Sequence, residues 1–331
     1  MKLLIFISRK KFRVNTLNNF IGFHFIKKYL ILNFSGITLS FIGRLFLFLN
    51  IAKGISCDGD PIILNEKKGI NFWLGGNKYK IKDNYKNLVN NYFNISSVFT
   101  NHKKILQLFP IQIANNNNFN NPKIVFFSSV RSDKNPMAED IWKDNKNIIL
   151  NNLLLIEKNS FWQKYKKKFK LSEQNFFSIY KNIKTKIRLE LLKICSNSFK
   201  KHLFLIGDDL IKAGYSANKN TFNRNVVKEI YNGNICLDFG SISGSLCLYP
   251  RSIQVIESGG LLLQSLQTDS KIILGSNLSK LTFNNAQDML YKCDTFLRDK
   301  HLFNSYLEKI KTSFKNSENK IEESLDKIFH K

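Results

Sequence analysis

Arg251 stands directly after Pro250, in a stretch whose order of residue types suits the binding of an anion. An apolar run, Ile235 to Phe239, leads into a small-residue loop of Gly240, Ser241, Ser243, Gly244 and Ser245. A short helical stretch opens at Pro250 and Arg251, Gly259-Gly260 closes it, and Leu261-Leu262-Leu263 starts another apolar run. Read as strand, pliable loop, helix, glycine stop and strand, the segment sets unpaired helix amides at a sheet's carboxyl edge, where their partial positive charge draws an anion. A guanidinium in the first helical turn adds a planar cation suited to phosphate oxygens. An ordinary strand-helix-strand unit with a serine loop fits the same residues without any ligand.

Other residue types offer less. Asp58-Gly59-Asp60 pairs two carboxylates around a glycine, a set able to hold a hard divalent ion. A plain turn before Pro61 explains it better, so no metal is expected. His24 and His102, with Asp60, are the candidates for a catalytic base toward an acceptor hydroxyl, although an isolated histidine is usually structural. Arg131 and Lys134 follow an apolar run and are loose phosphate candidates. Gly207-Asp208-Asp209 ends another run, where a turn is an equal explanation. No serine-histidine-acid arrangement, Walker loop or dinucleotide GxGxxG is present.

The net charge is +26, and of 51 basic residues eight are Arg and 43 Lys. Lys, Asn, Ile and Phe are abundant while Ala and Gly are scarce, the mark of an AT-rich genome, and much of the charge belongs on solvated faces. Residues 1 to 57 resist that account: they hold nine Lys and Arg, ten Phe and Tyr, and no Asp or Glu. A basic, aromatic surface of this kind adheres to anionic lipid headgroups or contacts nucleic acid. The aromatic residues cluster with the apolar 29–52 stretch rather than with a nucleic-acid motif, which makes nucleic acid the weaker partner. The five cysteines are odd in number and form no CxxC pair, as expected in a reducing compartment. The apolar start is too short for a signal peptide. Tyr29 to Ala52, interrupted by Asn33, Ser35 and Arg44, reads as one or two buried or interfacial helices rather than a span. The expectation is a cytoplasmic protein, peripheral at the inner face of a membrane.

The elements that must position these residues alternate between strand and helix. Apolar runs at 2–8, 61–64, 70–74, 97–100 and 111–114 lack period-2 alternation, as strands buried on both faces of a parallel sheet do. Asn115 to Pro122 is a polar, low-complexity break, and Lys123 to Ser129 restarts the pattern. A basic helical segment from Phe161 to Lys200, a strand at Leu203 to Ile206 and three amphipathic helices after Asn284 or Asn285 complete it. The expected fold class is α/β, two Rossmann-like doubly wound domains facing a cleft. Residues 1–121 form one domain, 122–300 a second, and 301–331 helices packing on them.

From Tyr249-Pro250-Arg251 through Gly259-Gly260 the chain resembles the donor-domain signature of GT-B glycosyltransferases, and most of all the spore-protein-type group. That pattern is roughly Arg-x-Phe-Glu, four residues, Gly-Gly and an apolar strand. Leu281 to Leu290, a strand leading into an acidic, helix-initiating turn, is similar as well. The resemblance implies a hexosyltransferase-like, metal-independent enzyme that needs no cofactor beyond its nucleotide-sugar co-substrate and delivers the sugar to a glycan or lipid-linked acceptor. It implies that 1–121 is the acceptor-side domain and 122–300 the donor-binding domain. It implies too that Arg251, Gly259 and Gly260 line the nucleotide diphosphate and that the glutamate position binds the ribose. Here that position holds Gln254, which can bond a ribose hydroxyl but without charge assistance. Glu257, nearly one turn on, shares that face. The donor set is thus Gly240, Ser241, Ser243, Gly244, Arg251, Gln254, Glu257, Gly259 and Gly260. A catalytically silent basic binding protein or scaffold is the alternative.

Overall fold

The computed structural model describes residues 2–8, 29–35, 37–57, 69–73, 91–92, 110, 113–114, 121–127, 130, 135–219, 223–240, 248, 250–268, 270–317, 319 and 323. The chain divides into two compact units, Met1–Gln112 with Phe314–Lys331, and Ile113–Ser313.

The first unit carries β1 (Lys2–Ser8), β2 (Tyr29–Ser35), α1 (Ile37–Phe48), β3 (Lys53–Cys57), β4 (Gly69–Trp73) and β5 (Asn91–Tyr92). They form a sheet in the order β2-β1-β3-β4-β5, with every neighbouring pair parallel. The expectation of helices throughout 29–52 needs correction. Tyr29 to Ser35 is a strand, paired residue for residue with β1 from Lys2 opposite Tyr29 to Ser8 opposite Ser35. Its aromatic and β-branched residues suit a pleated surface, and the ladder fixes the choice. Only the stretch after it is helical.

In chain order the second unit runs through β6 (Ile124–Phe127), α2 (Pro136–Asn151), a 3-10 turn at Leu153–Glu157, α3 (Asn159–Lys168), α4 (Glu173–Phe199) and β7 (Leu203–Ile206). Next come α5 (Asp208–Lys212), α6 (Arg224–Tyr231), β8 (Ile235–Asp238), α7 (Pro250–Glu257) and β9 (Leu261–Ser265). The last elements are α8 (Ser270–Leu274), a 3-10 turn at Ser276–Leu281, β10 (Thr282–Phe283), α9 (Ala286–Arg298) and α10 (Lys300–Phe314). The five strands lie in the order β10-β9-β8-β6-β7, all parallel. Each unit is therefore a mixed α/β layer on a parallel sheet, a Rossmann-like arrangement.

All four residues of β8 and all five of β9 are buried, as in strands of a parallel sheet covered on both faces. Helix starts follow their caps. Asn135 accepts from the Ala138 amide ahead of Pro136, Ser172 from Asn175, and Asn285 from Asp288 at 2.8 Å. The expected basic helix at 161–200 is two helices, α3 and α4, broken at Phe169–Leu171, where Lys170 has a φ of +47°. The run at 111–114 was expected to be a strand. Its described part, 113–114, is in neither helix nor strand, and the Ala114 amide donates to the Glu257 carbonyl.

Candidate functional site

Because every pair in the second sheet is parallel, Phe127, Ile206, Asp238, Ser265 and Phe283 end their strands at one edge. Numbered along the chain, this sheet has the order 2-1-3-4-5, and its connections reverse direction between β6 and β8. Ligands of open parallel sheets bind outside the carboxyl ends of the strands at such a switch point. Two residues converge there. Phe127 closes β6, and Arg251 comes from the first turn of α7, which follows β8. The guanidinium carbon lies over the Phe127 ring, 4.9 Å from its centroid, a stacking contact open to Arg and not matched by Lys. Arg251 is half-buried and makes no ion pair among the described residues.

The residues around Arg251 fix its direction. Asp238, the last of β8, is buried, and its two oxygens hold two different elements. Oδ1 accepts from the Gly240 amide at 2.9 Å, and Oδ2 accepts from the Ser252 hydroxyl. Gln264 of β9 donates to the same hydroxyl at 3.3 Å. Ser252, Ile253, Val255 and Ile256 are all buried. What remains of α7 for the outside is Arg251, Gln254 and Glu257, each half-buried. Pinning Ser252 inward turns its neighbour Arg251 away from the sheet, since successive helical residues are about 100° apart. Arg251 acts electrostatically on Tyr231, whose buried hydroxyl has no hydrogen-bond partner among the described residues. Burial pushes that phenol far up, and the Arg251 charge works against the shift.

Gly240 is a pivot rather than a free anion donor. Its φ is +73°, which a glycine adopts without strain. Its amide is engaged by Asp238, and its carbonyl accepts from the buried Arg188 of α4. A Cβ here would stand 2.8 Å from the Gln267 amide nitrogen.

The Gly-Gly turn lies at the other edge. Gly259 accepts from the Gly233 amide and Leu261 donates to Asn234, so both glycines sit beside the start of β8, whereas Gly240 follows its end. Gly259 has a φ of +76°, and a Cβ on Gly260 would come within 2.7 Å of the Tyr231 carbonyl. Packing alone therefore gives both positions a reason to be glycine. Glu257, the last residue of α7, is about 9 Å along the helix from Arg251 at 1.5 Å per residue. The structure thus sets Arg251 on the carboxyl side and Glu257, Gly259 and Gly260 on the amino side, with Gln254 midway along the helix. Ser241, Ser243, Gly244, Arg131, Lys134, His24, His102 and Asp60 lie outside the described residues. Among the described residues no group of three or more His, Cys, Asp or Glu could hold a metal ion.

Reasoning from the sequence missed Phe127, Asp238, Ser252 and Arg188. One signal was available for the last: it is the only arginine in a helix whose other cations are lysines. Arg188 continues a polar row on α4, with Tyr180 and Lys184 at spacings of four. Both of these contact Glu157, the tyrosine donating at 2.7 Å and the ammonium at 2.9 Å. A small cavity beside this pair, reaching Phe239, Ser265 and Gln267, has room for about one water.

No family model matches the chain, and no curated protein matches it. Among solved structures, a mutant O-GlcNAc transferase from Thermobaculum terrenum is similar with a TM-score of 0.46 and 9% identity. The alignment covers 99% of this chain and 66% of that one. So faint a likeness assigns no residue a role.

Proposed function

We propose that the chain is a GT-B-type glycosyltransferase, which moves a sugar from a nucleotide-sugar to a glycan or lipid-linked acceptor and needs no metal. The observation that carries this reading is Arg251: a guanidinium with no acidic partner among the described residues, set over the Phe127 ring at the switch point of a parallel sheet. An arginine held this way is oriented before any ligand arrives and loses little freedom on binding. Its five N–H donors suit the oxygens of a diphosphate, whose negative charge grows as the sugar bond breaks, and a cation fixed beforehand stabilises that change. The start of α7 adds its partial positive charge on the same side. Gln254, three residues on and half-exposed, reaches the same face and suits a ribose hydroxyl.

The reading is tested by thermal-shift titration with UDP-, GDP- and CMP-sugars, followed by an assay for release of the nucleoside diphosphate. One of the three donors should raise the melting temperature and be turned over. If none binds, the site is not a donor site. Binding without turnover would make the protein a silent scaffold.

A further inference from the structure

Helix α1 turns its apolar side to water. Phe41 is 71% exposed, Phe48 72%, Leu45 50%, Leu49 55% and Ile42 39%, and Ile51 just past the helix is 54% exposed. With 3.6 residues per turn, positions 41, 42, 45, 48 and 49 fall within about a third of the helix circumference. Gly43 and Leu47, both buried, lie on the opposite side. Over residues 41–48 the helix hides Gly43 and Leu47 and shows Phe41 and Phe48, and a contiguous patch of this kind marks an interaction surface. Arg44 is exposed at the border of the stripe, and Lys53 is exposed just beyond it.

Charge decides what covers the patch. Residues 1 to 57 contain nine Lys and Arg and no Asp or Glu. A second copy of this chain would bring the same acid-free segment to this face, where Arg44 finds no carboxylate to pair with. A polynucleotide would accept the cations and leave the phenylalanine and leucine side chains in water. A surface of anionic headgroups over hydrocarbon takes both at once. No described helix is long and apolar enough to cross a membrane. A 12-residue helix with this outward stripe instead lies in the plane of the interface, its rings among the upper acyl carbons. We infer that α1, flanked by Arg44 and Lys53, docks the protein onto an anionic lipid surface, independently of whether the nucleotide-sugar site is occupied.

The test is sedimentation of the full chain with vesicles of phosphatidylglycerol mixed into phosphatidylcholine, and with phosphatidylcholine alone. The protein should pellet with the anionic vesicles and stay in solution with the neutral ones. Phe41→Ser combined with Phe48→Ser should weaken partitioning about tenfold or more through lost apolar burial, and Arg44→Gln about fivefold. Both phenylalanines are exposed, so the double variant should melt where the wild type does and bind nucleotide-sugar in free solution equally well. Failure here therefore stays separate from failure of the donor site. The inference is overturned if the wild type ignores anionic vesicles, binds neutral ones as well, or keeps its affinity in the double variant. It is overturned too if the double variant abolishes a concentration-dependent dimer.

Discussion

Arg188 and Arg251 approach the same edge of the same sheet, from α4 and α7, and end in opposite situations. Arg188 is 4% exposed and its guanidinium is committed to the Gly240 carbonyl. Arg251 is half-buried, rests on an aromatic ring and meets no carboxylate among the described residues. The surroundings differ in the same sense. Beside Arg188, Glu157, Tyr180 and Lys184 satisfy one another with side-chain exposures of 2% for the glutamate and 7% for the lysine. Beside Arg251, Phe127 and Gln254 are both half-buried. The β8–β9 half of the edge is closed by the chain's own helix, and its charges hold the fold together. At the β6–β8 switch point a cation is presented instead. A charge at a strand end marks a ligand site only where the protein has not already used it.

The largest effect that sharpens this contrast belongs to the closed half. Glu157→Ala leaves Lys184 buried without its counter-charge, and denaturant unfolding should show a loss of about 3–5 kcal/mol. The folded fraction should bind nucleotide-sugar normally. A loss under about 1 kcal/mol would mean that this half is not sealed by charge. Gly260→Ala comes next. The new methyl meets the Tyr231 carbonyl, and overpacking of this kind costs about 1–3 kcal/mol, read as a lower melting temperature with donor affinity intact. Full stability with lost affinity would return the Gly-Gly turn to the binding site. The smallest effect is at Gln254. Gln254→Glu gives a ribose hydroxyl a charged acceptor, and titration should show donor binding tightened by about fivefold at most. No change would place the ribose elsewhere.

Strands of the second unit were legible because they are short apolar runs with no second interpretation: Leu203 to Ile206 was expected and observed with the same bounds. A cap at Asn284 or Asn285 with Asp288 behind it was equally readable, since capping is a local matter of side chain and backbone, and Asn285 fills it. Tyr29 to Ser35 was not, because an apolar run flanked by lysines serves a helix or a strand, and only pairing with β1 decides. The site divides along the same line. Arg251 was visible from its place after Pro250. The Phe127 ring beneath it, 124 positions earlier in the chain, was not, because only the parallel pairing of β6 with β8 brings those strand ends together. The Gly-Gly turn was visible as a motif, but its edge of the sheet depends on strand direction and not on composition.

Calorimetric titration of wild type and Arg251→Ala with the nucleotide-sugar that gives the largest thermal shift tests the central claim most directly. Removing charge-assisted bonds to a diphosphate should weaken binding by about tenfold to a hundredfold, while melting moves by no more than the equivalent of about 1 kcal/mol. Equal affinity in the two proteins would contradict the account, and Arg251 would then be a surface residue resting on Phe127.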